Sequence, residues 1–386
     1  MEEKNIIRKF VNPEIVYGIG AIGLVGQYIK TYGATRILVV SDPGVVAAGW
    51  AEKAIAGIKA AGAEALLFTG VSSNPRDYEV MEGAKQYLSE NCDALVVIGG
   101  GSPMDCAKGI GIVVSNSCHV LECEGVDKVA LPMPPLICIP TTAGTSADVS
   151  QFAIINDTPR RVKIAIVSKS TVPDVALIDP ATTVTMDPYL TACTGMDALV
   201  HAVEAYVSNA SSPLTDLHAL QAIRLIGANL LCAIREPHNM AARDSMMLAS
   251  LEAGLAFSNA SLGAVHAMAH SLGGMYDLPH GECNALLLEH VIRFNYPAST
   301  DRYNNIAAAL SGAPAETLGN GDCEMLVSTI RSLRLEAGIT SSFGASGVTP
   351  ASIPELADKA MQDACMVTNP RRPTGKEIEE IYGLAL

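Results

Sequence analysis

Short, almost unbroken apolar runs punctuate the first half of the chain: RILVVSD (36–42), ALLFTG (65–70), ALVVIGGG (94–101), PLICIPTT (135–142) and VALIDP (175–180). Several of these runs are apolar throughout rather than alternating, which predicts parallel strands covered on both faces. Between them lie stretches with helical spacing, such as VAAGWAEKAIAGIKAAG and DYEVMEGAKQYLSEN, so this half predicts a doubly wound α/β domain. The pattern changes near residue 185, after DPATTVTMDPYL. Strand signals nearly vanish there, and long Ala-, Leu- and Met-rich segments such as LTDLHALQAIRLIGANLLCAI and AARDSMMLASLEAGLAFS predict helices. The expected organisation is an α/β unit with a parallel sheet over 1–184 and an all-helical unit over 185–386.

Composition narrows the function classes. The 386 residues, 49% hydrophobic and only 17% charged, suit a folded chain of two domains with an ample core. A net charge of -14 with no run of Lys or Arg excludes a nucleic-acid partner, whose phosphates require clustered cations. The opening MEEKNIIRKF lacks the apolar core of a signal peptide, and no apolar stretch near twenty residues stands out, so the expectation is a cytoplasmic protein without a membrane segment. The ten cysteines form no CxxC pair, and several, such as Cys138, sit in apolar runs, as reduced buried thiols do. Cys118 and Cys123 are the nearest pair, but no neighbouring ligands make them a metal site.

The histidines carry the chemistry. Asp197 and His201 stand four apart in TGMDALVHAVEAY; His266 and His270 do the same in AVHAMAHSLGGMYDLPHGE, where His280 follows a proline. On a helix such pairs share a face. Any one pair is as readily a packed core pair, but three of eight histidines fall between 266 and 280. Together with Asp197 and His201 they point to a divalent metal, Fe(II) or Zn(II), which imidazole plus one carboxylate suits.

Three glycine- or hydroxyl-rich turns compete for a nucleotide. Gly18, Gly20 and Gly23 spell GxGxxG, with Asp42 further on at a strand end, yet PEIVYG before them makes a poor central strand. GGGSPMDCAKGIG, beginning at Gly99 directly after ALVVI, is the better phosphate loop: Gly99, Gly100 and Gly101 free the backbone, and the helix starting near Ser102 offers unpaired N–H groups. A ligand-free strand-to-helix turn accounts for the same residues. In PTTAGTSADVS, Thr141, Thr142, Thr145 and Ser146 can hydrogen-bond a cofactor or cap a helix. A carboxylate at Asp42 would accept ribose hydroxyls and repel a 2'-phosphate, favouring NAD over NADP.

The conjunction of FVNPEIVYGIGA, GGGSPMD, PTTAGTS, GMDALVHAVEAY, HAMAHSLGG, LPHGECNALLL and TNPRRPT resembles the iron-containing (group III) alcohol dehydrogenases along essentially the whole chain. The resemblance implies the architecture shared with dehydroquinate synthase-like proteins. It implies metal ligands at Asp197, His201, His266 and His280, and a non-ligating histidine beside them at His270. Cofactor contacts are implied at Asp42, Asn74, Gly99, Gly100, Gly101, Ser102, Asp105, Thr141, Thr142, Thr145 and Lys163, a pocket at Phe152 and Phe257, and a structural role for the N-terminal GxGxxG. Many members carry Gly or Ala then Glu after TTAGT; here Ser146, Ala147 and Asp148 depart from that.

The expected activity is NAD- and metal-dependent interconversion of a short primary alcohol or diol and its aldehyde. His270 is placed to relay a proton or to orient a ligand. Small residues Ala260 and Gly263 are expected near the pocket. Other readings are a Zn-using relative resembling glycerol dehydrogenase, a hydroxyacid-oxoacid transhydrogenase, and a low-activity regulatory or sensing protein. The strand-like IIRKFVNPEIVYG is expected at a sheet edge, within the subunit or against its twin in a homodimer or larger assembly.

Overall fold

Burial on both faces shapes the first half. The computed structural model describes residues 8–312 and 322–386. Its strands are β1 (Glu14–Tyr17), β2 (Arg36–Val40), β3 (Glu64–Phe68), β4 (Ala94–Gly99), β5 (Gly125–Val126), β6 (Leu136–Pro140), β7 (Phe152–Asp157), β8 (Val162–Val167) and β9 (Val175–Ile178). Six form one parallel sheet in the order β1-β9-β6-β4-β2-β3, and all five predicted strands are in it. Alternate residues serve opposite cores: Leu38, Val40, Leu95 and Val97 face one layer, and Ile37, Val39, Val96 and Ile98 the other. That explains the absence of polar alternation in these runs.

The helices of this half are α1 (Val25–Thr31), α2 (Pro43–Ala47), α3 (Trp50–Ala60), α4 (Asp77–Ser89) and α5 (Gly101–Asn116). From β2 the chain moves outward to β3, then crosses back to β4 on the other side of β2. The order therefore reverses between β2 and β4. In open α/β sheets ligands bind beyond the strand C-termini at such a point, and here those ends are Ser41–Asp42 and Gly99–Gly101.

A second sheet, β5-β8-β7, went unpredicted; β7 and β8 pair antiparallel from Phe152↔Val167 to Asp157↔Val162. The expected edge position of PEIVYG holds within the subunit: β1 runs parallel to β9, Glu14 opposite Val175. Residues 6 and 7 of the proposed pairing segment lie outside the described residues.

The second half is helical: α6 (Pro188–Val207), α7 (Pro213–Arg235), α8 (Met240–Ala260), α9 (Ala264–Tyr276), α10 (His280–Asn295), α11 (Thr300–Ser311), α12 (Cys323–Glu336), α13 (Ile353–Gln362) and α14 (Gly375–Ala385). Asp187 caps α6 by accepting from the Leu190 N–H, and Ser212 forms a capping box with Thr215 on α7, each followed by Pro at the first helical position. The expectation that no apolar stretch nears twenty residues fails at α7. Its 23 residues, with a mean hydropathy of 1.5 in the most apolar window, are long and apolar enough to cross a bilayer by length and composition. The helix instead buries Ala219, Ala222, Ile223, Ile226 and Leu230 in the core it shares with α6 and α8. All ten cysteines are free.

Candidate active site

Helix α6 presents Asp197 and His201 on one face, α9 presents His266 one turn into the helix, and α10 begins at His280. Their donor atoms converge. Asp197 Oδ1 lies 3.9 Å from His201 Nε2, 3.8 Å from His266 Nε2 and 3.8 Å from His280 Nε2. These separations are too long for hydrogen bonds, and they match two donors flanking one ion at about 2.1 Å each.

The tautomers are set from behind. His266 Nδ1 donates to Glu204 Oε2 at 2.7 Å and His201 Nδ1 to the Gly144 carbonyl at 3.2 Å, so the lone pairs are left on both Nε2 atoms. Burial holds His266 and His280 well below the ordinary histidine range, keeping them neutral. Asn284 Nδ2 sits among these donors, 2.6 Å from Asp197 Oδ1, 3.1 Å from His266 Nε2 and 3.2 Å from His280 Nε2. Two amide hydrogens cannot serve three acceptors. The pocket is thus rich in electron pairs, as a cation site of oxygen and imidazole donors must be, and the residues fit iron.

Glu204 is the anchor that the sequence reading missed. Its carboxylate also accepts from the Gly263 N–H at 3.0 Å and the Val265 N–H at 2.7 Å, closing the N-terminus of α9, where Gly263 supplies no side-chain cap. Burial pushes this carboxyl up to about 7 despite those N–H groups. Asn369 Oδ1 takes the Ala264 N–H at 3.1 Å.

His270 lies one turn beyond His266, its ring stacked on His280 at 5.3 Å between centroids. Its Nδ1 meets Asp363 Oδ2 at 2.8 Å, which leaves Nε2 for the cleft that His270 lines. Burial would raise Asp363, but His270 and hydrogen bonds involving Cys365 outweigh it and hold the carboxyl below its ordinary value.

One cleft of about 810 Å³ joins this cluster to the reversal point of the sheet, lined by Asp42, Gly100, Gly101, Ser102, Thr141, Thr142 and Thr145 as well as by Asp197, His201, His266 and His280. Asp42 Oδ1 accepts from the Gly44 and Val45 N–H groups at 2.8 and 3.0 Å, which caps α2. Gly100 and Gly101 pack closely: a Cβ on them would lie 3.1 Å from the Thr142 side chain and 3.0 Å from that of Thr145. Gly99 is not among the lining residues; a Cβ there would meet Pro103 at 2.6 Å. Asp105, Asn74 and Lys163 line the cleft, and burial pushes Asp105 up to about 7. Thr142 Oγ1 is buried without a partner, a polar atom available to a ligand.

Phe152 and Phe257 both line the cleft with ring centroids 5.8 Å apart, and Phe257 stacks on His201 at 4.4 Å. Neither Ala260 nor Gly263 lines the cleft itself. Leu262 lines the cleft instead, because Gly263 is pressed against Glu204, where a Cβ would fall 2.9 Å from the carboxylate. The N-terminal GxGxxG is absent from the lining, and its Gly20 N–H donates internally to Asp179 Oδ2 at 3.0 Å. Ser146, where the sequence departs from the family pattern, is left-handed (φ +51°) and donates to the Ser250 carbonyl at 2.6 Å.

Close packing between α6 and α10 sets the position of His280. A Cβ on Gly281 would fall 2.4 Å from the Cys193 carbonyl oxygen and 2.8 Å from its carbon, both backbone. Gly281→Ala is therefore expected to lower stability by about 1–3 kcal/mol, as overpacking does, and to weaken metal retention. Thermal melts and metal analysis of the same preparation check both.

A dinucleotide-sized cleft at a sheet reversal, ending in a carboxylate and three imidazoles, defines a metal-dependent oxidoreductase. The comparisons carry this to a family: residues 12–180 match the iron-containing alcohol dehydrogenase model, and residues 191–386 match the model of the C-terminal part of the Fe-containing alcohol dehydrogenase family. The chain belongs to the iron-containing alcohol dehydrogenases. It is 41% identical over 369 residues to a 1,3-propanediol dehydrogenase of Citrobacter freundii, covering 95% of each chain. It is 38% identical over 377 residues to an NAD-dependent methanol dehydrogenase of Bacillus methanolicus, covering 98% of this chain and 99% of the relative. Its structure superposes on an alcohol dehydrogenase from Oenococcus oeni with a TM-score of 0.94 at 35% identity, covering 98% and 100% of the two chains.

Proposed function

We propose that this enzyme interconverts a short primary alcohol or diol and its aldehyde, with NAD held at Asp42 and the Gly99–Ser102 loop and iron held by Asp197, His201, His266 and His280. The observation that carries this reading is the single cleft joining the two groups of residues. Bound there, iron supplies a Lewis acid for the alcohol oxygen, and NAD accepts the hydride. The chain's own residues do the rest. Asp42 Oδ2, not used in capping α2, receives the ribose hydroxyls. The N–H groups at the start of α5 face the phosphates. Phe152 and Phe257 exclude water and hold a small apolar carbon skeleton. His270 Nε2 takes the proton of the alcohol, with Asp363 fixing the proton on Nδ1.

The free cysteines support a reducing, cytoplasmic setting. The outer edge of β1 pairs with no strand among the described residues, which supports a homodimer assembled there.

The test is NADH formation from ethanol, butanol and 1,3-propanediol by anaerobically purified protein of known metal content. Stoichiometric iron with alcohol-dependent NADH supports the reading; iron without turnover on any primary alcohol overturns it. Asp42→Gly probes the cofactor side. Glycine keeps most of the capping of α2, while the charge that repels a 2'-phosphate is gone. The ratio of kcat/KM for NADP over NAD is expected to rise by about 10- to 100-fold, read by initial rates with each cofactor.

A further inference from the structure

The helix that carries His266 and His270 also grips the cofactor side of the cleft. At the C-terminal cap of α9, Asp277 is left-handed (φ +56°). Both of its carboxylate oxygens reach the loop after β3: Oδ1 accepts from Asn74 Nδ2 at 2.8 Å, and Oδ2 from Arg76 Nη2 at 2.9 Å. Asn74 is itself left-handed (φ +56°), a conformation that the surrounding structure must hold for a residue with a Cβ. Its remaining polar groups serve the cleft. The Asn74 N–H donates to Ser102 Oγ at 3.3 Å, and Asn74 Oδ1 accepts from Lys163 Nζ at 2.6 Å.

The direction of the Asn74 amide follows from this. A carboxylate only accepts, so Asn74 must turn Nδ2 toward Asp277, which turns Oδ1 toward the ammonium of Lys163. Without Asp277 the Asn74 Nδ2 loses its acceptor, and the side chain is held from the Lys163 side alone. Asp277 does not line the cleft, and its side chain is 54% exposed. It therefore touches neither cofactor nor substrate, and an ion pair so exposed adds little to stability.

We propose that Asp277 is a positioning residue for the dinucleotide: by holding Asn74 and Arg76 it fixes Asn74, and through it Ser102 and Lys163, in the arrangement that receives the cofactor. This rests on the NAD reading given above. The helical half thereby contributes to a binding surface built by the α/β half.

The experiment compares wild type, Asp277→Ala and Asp277→Asn as iron-loaded enzymes, measuring the Kd and KM for NAD, kcat with a primary alcohol, iron content and Tm. Asp277→Ala is expected to raise Kd and KM for NAD by about 3- to 10-fold, the loss of one or two hydrogen bonds. Its kcat stays within about twofold, a split that marks lost binding rather than lost chemistry, and its iron content and Tm are unchanged. Asp277→Asn, whose Oδ1 still accepts from Asn74 although its Nδ2 cannot accept from Arg76, recovers part of the affinity. Unchanged NAD affinity in Asp277→Ala overturns the proposal, as does equal impairment of both variants or a joint loss of kcat, iron and Tm. A wild type that binds no NAD overturns the functional reading itself, whereas wild-type binding with an unaffected Asp277→Ala overturns this inference alone.

Discussion

His266→Ala is expected to purify with little iron and to lose alcohol-dependent NADH formation by roughly 10³-fold, the scale of removing a preorganised electrostatic contact at the reacting oxygen. The size of the effect follows from how many groups meet at this imidazole. His266 Nε2 is one of the three nitrogens 3.8 to 3.9 Å from Asp197 Oδ1. Its Nδ1 is the proton donor to a buried carboxylate, Glu204, at 2.7 Å. Truncation removes a proposed ligand, leaves Glu204 without its side-chain partner, and opens space between α6 and α9, so some loss of stability accompanies the loss of metal. Elemental analysis and initial rates on the same sample separate the outcomes. Full iron content with unimpaired turnover would remove His266 from the site. An NAD affinity like that of wild type, measured directly, is expected to persist, because the residues proposed to hold the cofactor, Asp42 and Gly100 to Ser102, belong to the α/β half and His266 to α9.

Legibility in the sequence tracked how local each signal was. Strands β2, β4, β6 and β9 were readable because burial on both faces leaves the interior of each run apolar. The β7–β8 hairpin was not. Its strands mix buried Ile155 and Ile164 with Asn156 and Lys163, which line the cleft, so neither a uniform nor an alternating pattern stands out. Function has overwritten the periodicity there. Helix α7 was readable as a helix, and although its most apolar window reaches the hydropathy of a membrane span, its buried stripe is that of a core helix. Within the site, Asp197 with His201, and His266 with His270, were visible as i,i+4 pairs. The same rule reaches two residues that were passed over: Glu204 follows His201 by three on the face of α6, and Asn284 follows His280 by four on α10. Asp363 and Asp277 carry no such local mark. They meet His270 and Asn74 across 93 and 203 positions, and only the fold brings them together.

Glu204→Gln should weaken iron binding by about 10- to 100-fold without replacing any of the four proposed ligands, the usual consequence of altering the group behind a ligating histidine. The carboxylate does two things at once. It closes the start of α9 through the Gly263 and Val265 N–H groups, and it holds the proton on His266 Nδ1. Glutamine keeps one oxygen for the backbone but cannot accept at its amide nitrogen, so either an N–H at the helix start or the histidine proton loses its acceptor. If the histidine loses it, the tautomer is no longer fixed, and part of the population carries a proton on Nε2 that must be displaced before iron enters. If the helix start loses it, α9 frays and His266 shifts from Asp197. Chelator competition distinguishes this from loss of chemistry: a variant with low iron affinity regains turnover when iron is supplied in excess. Unchanged affinity with reduced kcat would mean that Glu204 acts on the reaction and not on the ligand it holds.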